Sequence, residues 1–335
     1  MHFNRISAFV IASLLFGVTS AAEAQTKVKS EPTKERKFRL TYAAKILDAP
    51  AGAKVRAWIP VPPSSGEQSV KALLAVIPAL GGEEGIEDKF GNKMLSFEVA
   101  APKSGEVAFS TSYQVTRKEV HGLPPEKMGM KPVKLTDEQR KLLLSADTRI
   151  PVGGKPLELL AGKELPAEQL ELARLLYDRV DEHVKYDKSR PGYGRGDVLW
   201  VCDSRFGNCT DFHSLFISLA RAKGIPARFE IGFSVPEKRG EGPITGYHCW
   251  AFFWLDKQGW VPVDISEADK NPSMKEYYFG NLTENRVTFS QGRDLTLVPK
   301  QAGEPLNFFI YPYVEVDGKA WPAEKVKLEV SYQDE

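Results

Sequence analysis

The 335-residue sequence predicts an α+β protein in which a β-sandwich precedes a core of helices packed on an antiparallel sheet. Three observations predict this class. Apolar and polar residues alternate through much of residues 38–120, as is typical of half-buried strands. Apolar residues at helical spacing follow over residues 136–222. The alternation then returns over residues 227–332, which predicts further strands.

The first 24 residues have the features of a secretory signal peptide. Arg5 provides a positive start, residues 6–18 are apolar, and Ala22-Glu23-Ala24 fits a small-x-small cleavage site. The apolar run is shorter than the roughly 20 residues that span a bilayer. We therefore expect an exported protein, periplasmic or extracellular, with no membrane span after removal of the signal.

Residues 25–37 are predicted to be a charged linker, because a segment with so few apolar side chains buries too little surface to offset its ordering entropy. Two domains are predicted after it. The first is an immunoglobulin-like β-sandwich over residues 38–120. The second covers residues 121–335 and includes the C-terminal strands.

Within the sandwich, alternation over residues 38–42, 55–59 and 107–115 predicts strands, and Gly91-Asn92 predicts a hairpin turn. In the second domain, Thr136 and Gln139 fit a capping box for a helix that ends near residue 144. Two more helices are predicted over residues 167–184 and from Cys209 to the stop at Gly224. Later strands are predicted over residues 227–235, 247–255, 260–265, 286–289, 295–299, 308–316 and 326–332.

Composition excludes some classes of function. The chain has 45 Lys and Arg against 44 Asp and Glu, a net charge of +1, whereas a nucleic-acid-binding protein is expected to have a basic excess. Three cysteines are too few for a disulfide framework, and their odd number leaves at least one thiol free unless chains pair.

Cys209 is predicted to begin a helix directly after a glycine turn. Unpaired backbone N–H groups and the helix dipole favour an anion there, so they lower the pKa of a thiol. A thiolate is the nucleophile of cysteine enzymes, and the same N–H groups would hold an oxyanion. The alternative for this residue alone is a buried, unreactive cysteine.

Two residues downstream strengthen this interpretation. His248 and Asp264 lie in successive predicted strands, and antiparallel neighbours place opposed side chains about 5 Å apart. A carboxylate at that distance would orient the imidazole, which would then activate the thiol.

Residues 207–233 (GNCTDFHSLFISLARAKGIPARFEIGF) and 246–268 (GYHCWAFFWLDKQGWVPVDISEA) resemble the core of the transglutaminase-like superfamily of papain-type cysteine enzymes. The resemblance covers roughly residues 170–268. It implies that Cys209 is the nucleophile, His248 the base and Asp264 the orienting carboxylate, within a papain-like catalytic core over residues 121–335.

The resemblance also implies an aromatic residue that helps to hold the oxyanion, for which Tyr193 is the best counterpart and Trp200 the second. Trp250 and Trp260 are further candidates for lining the site. Arg228 and Glu230 are expected on a solvated strand face, and His213 as a core or hydrogen-bonding side chain.

The implied chemistry is attack on an amide of a protein or peptide, formation of a thioester, and release of the acyl group to an amine or to water. Three functions remain open. The protein could be an acyltransferase, a cysteine peptidase or amidase that acts on peptides or cell-wall stems, or a catalytically silent binding module. No cofactor and no metal are expected. A zinc site of Cys202, Cys209, His213 and His248 lacks a supporting CxxC or HxxxH frame.

Cys249 departs from the family pattern, which usually has alanine after the histidine. On a strand its side chain points away from that of His248, so we expect it not to compete as nucleophile. One option is a disulfide with Cys202 that leaves Cys209 free, although spacing alone does not determine the pairing.

Overall fold

The structure, a computed structural model, describes residues 33–78, 82–124 and 134–335. The predicted signal peptide and residues 25–32 of the predicted linker lie outside this part of the chain. Residues 35–37, also predicted as linker, belong instead to the first strand. There the Arg36 side chain is buried and its Nε donates to Asp334 Oδ1 at 2.8 Å. Across these residues we find no helix with the length and hydropathy needed to cross a bilayer.

The strands run in the following order: β1 (Glu35–Ile46), β2 (Lys54–Val61), β3 (Gln68–Val76), β4 (Glu83–Ile86), β5 (Lys93–Ala100), β6 (Val107–Lys118), β7 (Val120–His121), β8 (Lys185–Tyr186), β9 (Phe206–Gly207), β10 (Ala227–Ser234), β11 (Glu241–Ile244), β12 (His248–Leu255), β13 (Gly259–Val263), β14 (Asn281–Leu282), β15 (Arg286–Gln291), β16 (Tyr313–Val316), β17 (Lys319–Ala320) and β18 (Val326–Asp334).

The helices are α1 (Asp137–Leu144), α2 (Gln169–His183), α3 (Val198–Ser204), α4 (Cys209–Ala222), α5 (Ile265–Lys270) and α6 (Lys275–Tyr278). Short 3₁₀ helices cover Lys155–Leu160, Pro272–Met274 and Ala323–Lys325. The capping box predicted at α1 is present, with Thr136 and Gln139 each bonded to the other's backbone N–H.

Two five-stranded sheets form a sandwich, in the orders β11-β18-β1-β6-β3 and β17-β16-β2-β5-β4. In β1 the alternating side chains of Phe38, Leu40 and Tyr42 are fully buried. Their burial removes apolar surface from water, which stabilises the fold by about 2 kcal/mol per side chain. The predicted α+β class, with a strand-rich N-terminal region, is confirmed.

The sheets of the sandwich extend across the predicted domain boundary at residue 121. β18 pairs with β1 along nine residues, from Phe38↔Asp334 to Ile46↔Val326, and β16 pairs with β2. Thr33–Glu335 accordingly forms one compact unit. Alternation in a sequence shows which face of a strand is buried but not which strand pairs with it. The C-terminal strands therefore complete the N-terminal sandwich rather than extending the core.

A four-stranded antiparallel sheet, β13-β12-β10-β15, forms the centre of the second region. Every residue of β12 is buried, and α4 packs on this sheet, with the rings of Phe216 and Phe253 5.9 Å apart. The sheet and helix α4 together position the candidate site.

Two predicted strands differ from the structure. Residues 295–299 form only an isolated bridge from Leu295 to Leu306, and β16 covers only the end of the predicted strand 308–316. Leu295 and Leu297 are buried in a small cluster with Trp58 and Met94. Their alternation therefore reflects packing against that cluster rather than pairing in a sheet.

Candidate active site

Cys209 occupies the first position of α4, as the sequence predicts. The Asn208 side chain accepts the N–H of Thr210 at 2.9 Å, and the Asp211 carboxylate accepts the N–H of Asn208 at 2.9 Å. This reciprocal capping box makes the helix start at Cys209 and directs the N-terminal end of α4 towards the sulfur.

Asp211 also anchors the loop that precedes α3. Its carboxylate is fully buried and accepts the N–H groups of Gly194 at 2.7 Å and Gly196 at 2.9 Å. A Cβ on Gly207 would lie 2.5 Å from this carboxylate, so the turn before Cys209 requires glycine. We missed this role of Asp211 in the sequence, although its place three residues after Asn208 is a capping signal.

His248 and Asp264 form a buried pair, with Nε2 of the imidazole 2.7 Å from Oδ2 of the carboxylate. This leaves Nδ1 of His248 for Cys209, with which the imidazole shares a hydrogen bond. Asp264 is the N-cap of α5, and its Oδ1 accepts the N–H of Glu267 at 3.2 Å. The structure thus brings together the three residues predicted as a triad.

The register differs from the opposed pair that we expected. The β12–β13 ladder ends at Ala251↔Val263, so its continuation would place Trp250, not His248, opposite Asp264. Asp264 leaves the ladder to cap α5 and meets His248 diagonally. Diagonal neighbours on one face of a sheet remain within reach of a long or aromatic side chain.

The charges of the site depend on one another. Burial alone would raise the pKa of the Cys209 thiol, but hydrogen bonds with Cys249 and His248 and the charge of His248 hold it well below its usual value. Burial would lower the pKa of His248, but the Asp264 carboxylate outweighs burial and raises it to about 10. Burial would raise the pKa of Asp264, but His248 and then Arg286 hold it well below its usual value. The resting site is therefore a thiolate and an imidazolium beside a carboxylate.

Cys202, Cys209 and Cys249 are all free, so the disulfide considered as one option for Cys202 and Cys249 is not formed. The Cys249 sulfur lies 3.7 Å from Thr210 Oγ1 and 3.8 Å from His213 Nδ1. Strand alternation does direct the Cys249 side chain to the face of β12 opposite to His248. That face is the one on which α4 packs. A second thiol therefore lies beside Cys209.

Cys249 is protonated in this arrangement. Burial, and then the negative charge and hydrogen bond of Cys209, raise the pKa of the Cys249 thiol well above its usual value. The S–H of Cys249 donates to Thr210 Oγ1 at 3.7 Å, and the thiol also helps to lower the pKa of Cys209. The two neighbouring thiols differ in charge because only Cys209 also has the imidazolium as a partner.

His213 is fully buried between α4 and α5. Its Nε2 accepts the N–H of Ile265 at 3.1 Å, and burial lowers its pKa to about 4. His213 is therefore neutral and acts as a hydrogen-bonding core residue.

A cavity of about 490 Å³ opens over Cys209 and His248. Tyr193, in the loop anchored by Asp211, is one of its walls. The other lining residues are Tyr186, Lys188, Gly194, Asn208, Ser234, Thr245, Gly246, Tyr247, Glu267, Lys270, Phe308 and Tyr311. Tyr247, which we did not single out in the sequence, shares a hydrogen bond with Thr210 Oγ1 at 2.9 Å and thereby ties β12 to the start of α4.

The predicted tryptophans lie elsewhere. Trp250 is fully buried, with its ring 5.9 Å from that of His248 and its Nε1 donating to Glu230 at 3.1 Å. Trp260 packs against Trp254 at 5.4 Å and under the Arg228 guanidinium at 4.1 Å. Neither tryptophan lines the cavity. Glu230 is not on a solvated face either, because it is buried and binds both Trp250 and Arg228.

Arg286 is a site residue that sequence reasoning missed. Its Nη1 donates to Asp264 Oδ2 at 3.1 Å, and its guanidinium lies 4.8 Å from the ring of Trp250. The sequence places Arg286 at the start of an ordinary strand, with no motif that marks it.

One group of side chains has the types and spacing of a cation site in the described part of the chain. The ligand atoms of His248, Asp264 and Glu267 lie within 4.8 Å of one another. However, Arg286 pairs with Asp264 and Lys270 pairs with Glu267, and His248 carries a proton. These positive charges neutralise the carboxylates and disfavour a metal ion there.

Comparisons with known proteins relate part of this chain to one superfamily. Residues 158–265 match the model of the Transglutaminase-like superfamily. An uncharacterised protein of Haemophilus influenzae is 27% identical over 92% of this chain and 94% of its own length. The protein-glutamine gamma-glutamyltransferase of Pseudomonas aeruginosa is 29% identical, over 35% of this chain and 19% of its own length.

Among solved structures, a "Putative Cysteine Protease" from Cytophaga hutchinsonii superposes with a TM-score of 0.53. The alignment covers 90% of this chain and all of that one. Because only 14% of the aligned residues are identical, this similarity concerns the fold.

Proposed function

Starting from the transglutaminase-like domain that this chain contains, we propose that the protein is a cysteine-dependent enzyme that attacks an amide of a peptide or protein. The observation that carries the proposal is the continuous contact from Cys209 through His248 to Asp264 beneath an open cavity. Nucleophile, base and orienting carboxylate are the minimum set for thiol acyl transfer.

In the proposed reaction the Cys209 thiolate attacks the carbonyl carbon of the bound amide. The negative charge moves to the carbonyl oxygen, where the backbone N–H of Cys209 and the hydroxyl of Tyr193 are the nearby donors that we assign to it. The His248 imidazolium then gives its proton to the leaving nitrogen, and a thioester on Cys209 remains.

The second half of the reaction returns the enzyme to its resting state. His248, now neutral, takes a proton from the attacking water or amine as it adds to the thioester. Asp264 stays ionised throughout and holds the imidazole in the tautomer with the proton on Nε2. With water the product is a carboxylate, and the enzyme is a peptidase or amidase. With an amine the product is a new amide, and the enzyme is a transferase.

Ammonia release from glutamine-containing peptides, measured with and without an added primary amine, tests the proposal and separates the two outcomes. Incorporation of the amine identifies a transferase, and cleavage or deamidation without incorporation identifies a hydrolase. Cys209→Ala and His248→Ala should abolish the product, whereas Cys202→Ala, which removes a thiol outside the cavity, should not. Full activity of Cys209→Ala would contradict the proposal. A slowly alkylated Cys209 with no turnover on any peptide would instead favour a silent binding module.

We also propose that the protein acts after export, in the periplasm or outside the cell, on a protein or peptide. The signal-like residues 1–24 support this proposal. The N-terminal sequence of protein recovered from the exported fraction should begin after Ala24, and recovery of intact Met1 in the cytoplasm would contradict it.

A further inference from the structure

Two cations share one oxygen atom in the centre of the site. Asp264 Oδ2 accepts Nη1 of Arg286 at 3.1 Å and Nε2 of His248 at 2.7 Å. The other oxygen, Oδ1, is held by Ser266 Oγ and by the N–H of Glu267, each at 3.2 Å. Because Oδ1 is already hydrogen-bonded at the start of α5, the His248 imidazolium and the Arg286 guanidinium both interact with Oδ2 and each weakens the attraction of this oxygen for the other.

Packing holds Arg286 in this position. Its side chain is buried, with the guanidinium 4.8 Å from the Trp250 ring, and the same ring lies 5.9 Å from that of His248. Trp250 is held in turn by its hydrogen bond to Glu230. Guanidinium, carboxylate, imidazole and indole therefore form a closed ring of contacts across β15, β12 and the start of α5.

The charged and titratable groups around this ring come from several elements. Cys209 lies against His248, and Cys249 lies against Cys209. Nε2 of His213 lies 3.7 Å from Asp264 Oδ1. Other titratable groups that interact with Arg286, Asp264 or His248 are Arg117, Glu267, Tyr177, Tyr186, Tyr277 and Tyr278. Glu230 lies one step further out, bonded to Trp250. Among the described residues, Arg286 is the one cation that binds the same carboxylate oxygen as His248.

We propose that Arg286 is a positioning residue of the site, which holds Asp264 in place and, by sharing Oδ2, limits how strongly that carboxylate retains the proton of His248. An imidazolium paired with an unshared buried carboxylate would be a poor acid for the leaving nitrogen, since proton transfer is efficient when the donor's pKa is close to the working pH. Arg286 acts through Asp264 and does not touch the thiol. The inference rests on the proposed function, because it assigns His248 the role of the acid.

The test measures the protonation of His248 directly and needs no substrate. In full-length protein with ¹³C-labelled histidine, the imidazole signals are followed against pH by NMR, and the His248 signal is assigned with His248→Gln. The wild-type imidazole should be about half protonated near pH 10. In Arg286→Met it should be about nine-tenths protonated at the same pH, a displacement of about one pH unit. Arg286→Lys retains the charge and should titrate like the wild type.

Arg221→Met is the matched control. Arg221 is also buried and paired with a carboxylate, Asp147 at 2.6 Å, but it does not contact Asp264. Both methionine variants should lose thermal stability, whereas only Arg286→Met should change the protonation of His248. If Arg286→Met does not fold, the same comparison is made with Arg286→Gln and Arg286→Lys.

An unchanged or lowered pKa of His248 in the neutral Arg286 variants would overturn the inference. That result is distinct from failure of the proposed function. Failure of the proposed function would appear as turnover that survives Cys209→Ala, or as a Cys209 that iodoacetamide alkylates no faster than an ordinary thiol, whatever Arg286 does.

Discussion

The thiol of Cys249 lies against the sulfur of Cys209 and, by hydrogen bonding, helps to hold the pKa of Cys209 below its usual value, although the two residues lie 40 positions apart on β12 and α4. The contact exists because α4 crosses the face of β12 opposite to His248, and Thr210 Oγ1, 3.7 Å from the Cys249 sulfur, lies beside it. The nucleophile thus has one partner on each face of the same strand, an imidazolium on one side and a thiol on the other.

Replacing Cys249 with alanine should raise the pKa of Cys209, because the thiolate loses a hydrogen-bond donor. One such bond corresponds to about one pH unit. The rate of alkylation of Cys209 by iodoacetamide, measured against pH in a Cys202→Ala background, checks this. Cys249→Ser retains a donor and should restore most of the shift. An alanine variant with the wild-type profile would mean that His248 alone stabilises the thiolate.

Stability should fall as the pH rises from about 8.5 to 10. In the unfolded chain His248 titrates near 6.5 and Cys209 near 8.5, whereas in the folded protein the pKa of His248 is about 10 and that of Cys209 is lowered. Between pH 6.5 and 8.5 the two effects oppose each other. The raised pKa of His248 makes the free energy of unfolding fall as the pH rises, and the lowered pKa of Cys209 makes it increase. Above about 8.5 the effect of Cys209 is exhausted, and His248, Cys249 and Cys202, whose pKa values are all raised by folding, keep protons that the unfolded chain has released.

His248 alone contributes a loss of at most about 1.4 kcal/mol of unfolding free energy per pH unit in that window, and the raised pKa values of Cys249 and Cys202 add to the slope in the same direction. Urea unfolding at pH 8.5, 9.25 and 10 measures it, with His248→Gln as the control that should lack this component. A His248→Gln variant whose stability falls as steeply with pH as that of the wild type would show that the imidazolium is not retained in the folded state.

The three residues of the proposed triad could be selected from the sequence because each carries a local signal and because together they match the family pattern. Cys209 follows a glycine turn at a helix start, and His248 and Asp264 lie in successive alternating strands. These signals are short-range, and helix starts and strand alternation depend mainly on neighbouring residues. The helices α1, α2 and α4 were predictable within a few residues for the same reason.

What the sequence did not reveal depends on long-range pairing. Arg286 reaches Asp264 only because β15 pairs with β10, and β18 completes the sandwich only because it pairs with β1. Cys249 was predicted to lie away from the nucleophile because alternation gives the face of a strand but not the element that covers it. The burial of Glu230 was missed for the same reason, since its partner Trp250 is on the adjacent strand.

Asp211→Ala should destabilise the protein and impair the site together. The carboxylate accepts the N–H groups of Asn208, Gly194 and Gly196, and its removal leaves buried donors unpaired, at about 1–3 kcal/mol each before relaxation. The loop that carries Tyr193 would lose its anchor. Urea unfolding should show a loss of several kcal/mol, and Cys209 alkylation should slow because the helix start loses the Asp211 half of its capping box. Asp211→Asn keeps an acceptor oxygen, so it should lose less of the unfolding free energy and less of the alkylation rate than Asp211→Ala. Equal stability of the alanine variant and wild type would contradict the anchoring role.

Tyr193→Phe should separate oxyanion binding from thiol activation. The substitution removes only the hydroxyl from a residue that lines the cavity with Cys209, while the Cys209–His248–Asp264 contacts do not involve Tyr193. If the hydroxyl stabilises the oxyanion, kcat/KM on a cleaved peptide should fall by about 10²–10³. The pH dependence of Cys209 alkylation should stay at wild-type values, since alkylation by iodoacetamide develops no oxyanion at this position. Turnover equal to the wild type would leave the backbone N–H of Cys209 as the remaining donor, and slower alkylation in Tyr193→Phe would show instead that the hydroxyl supports the ion pair itself.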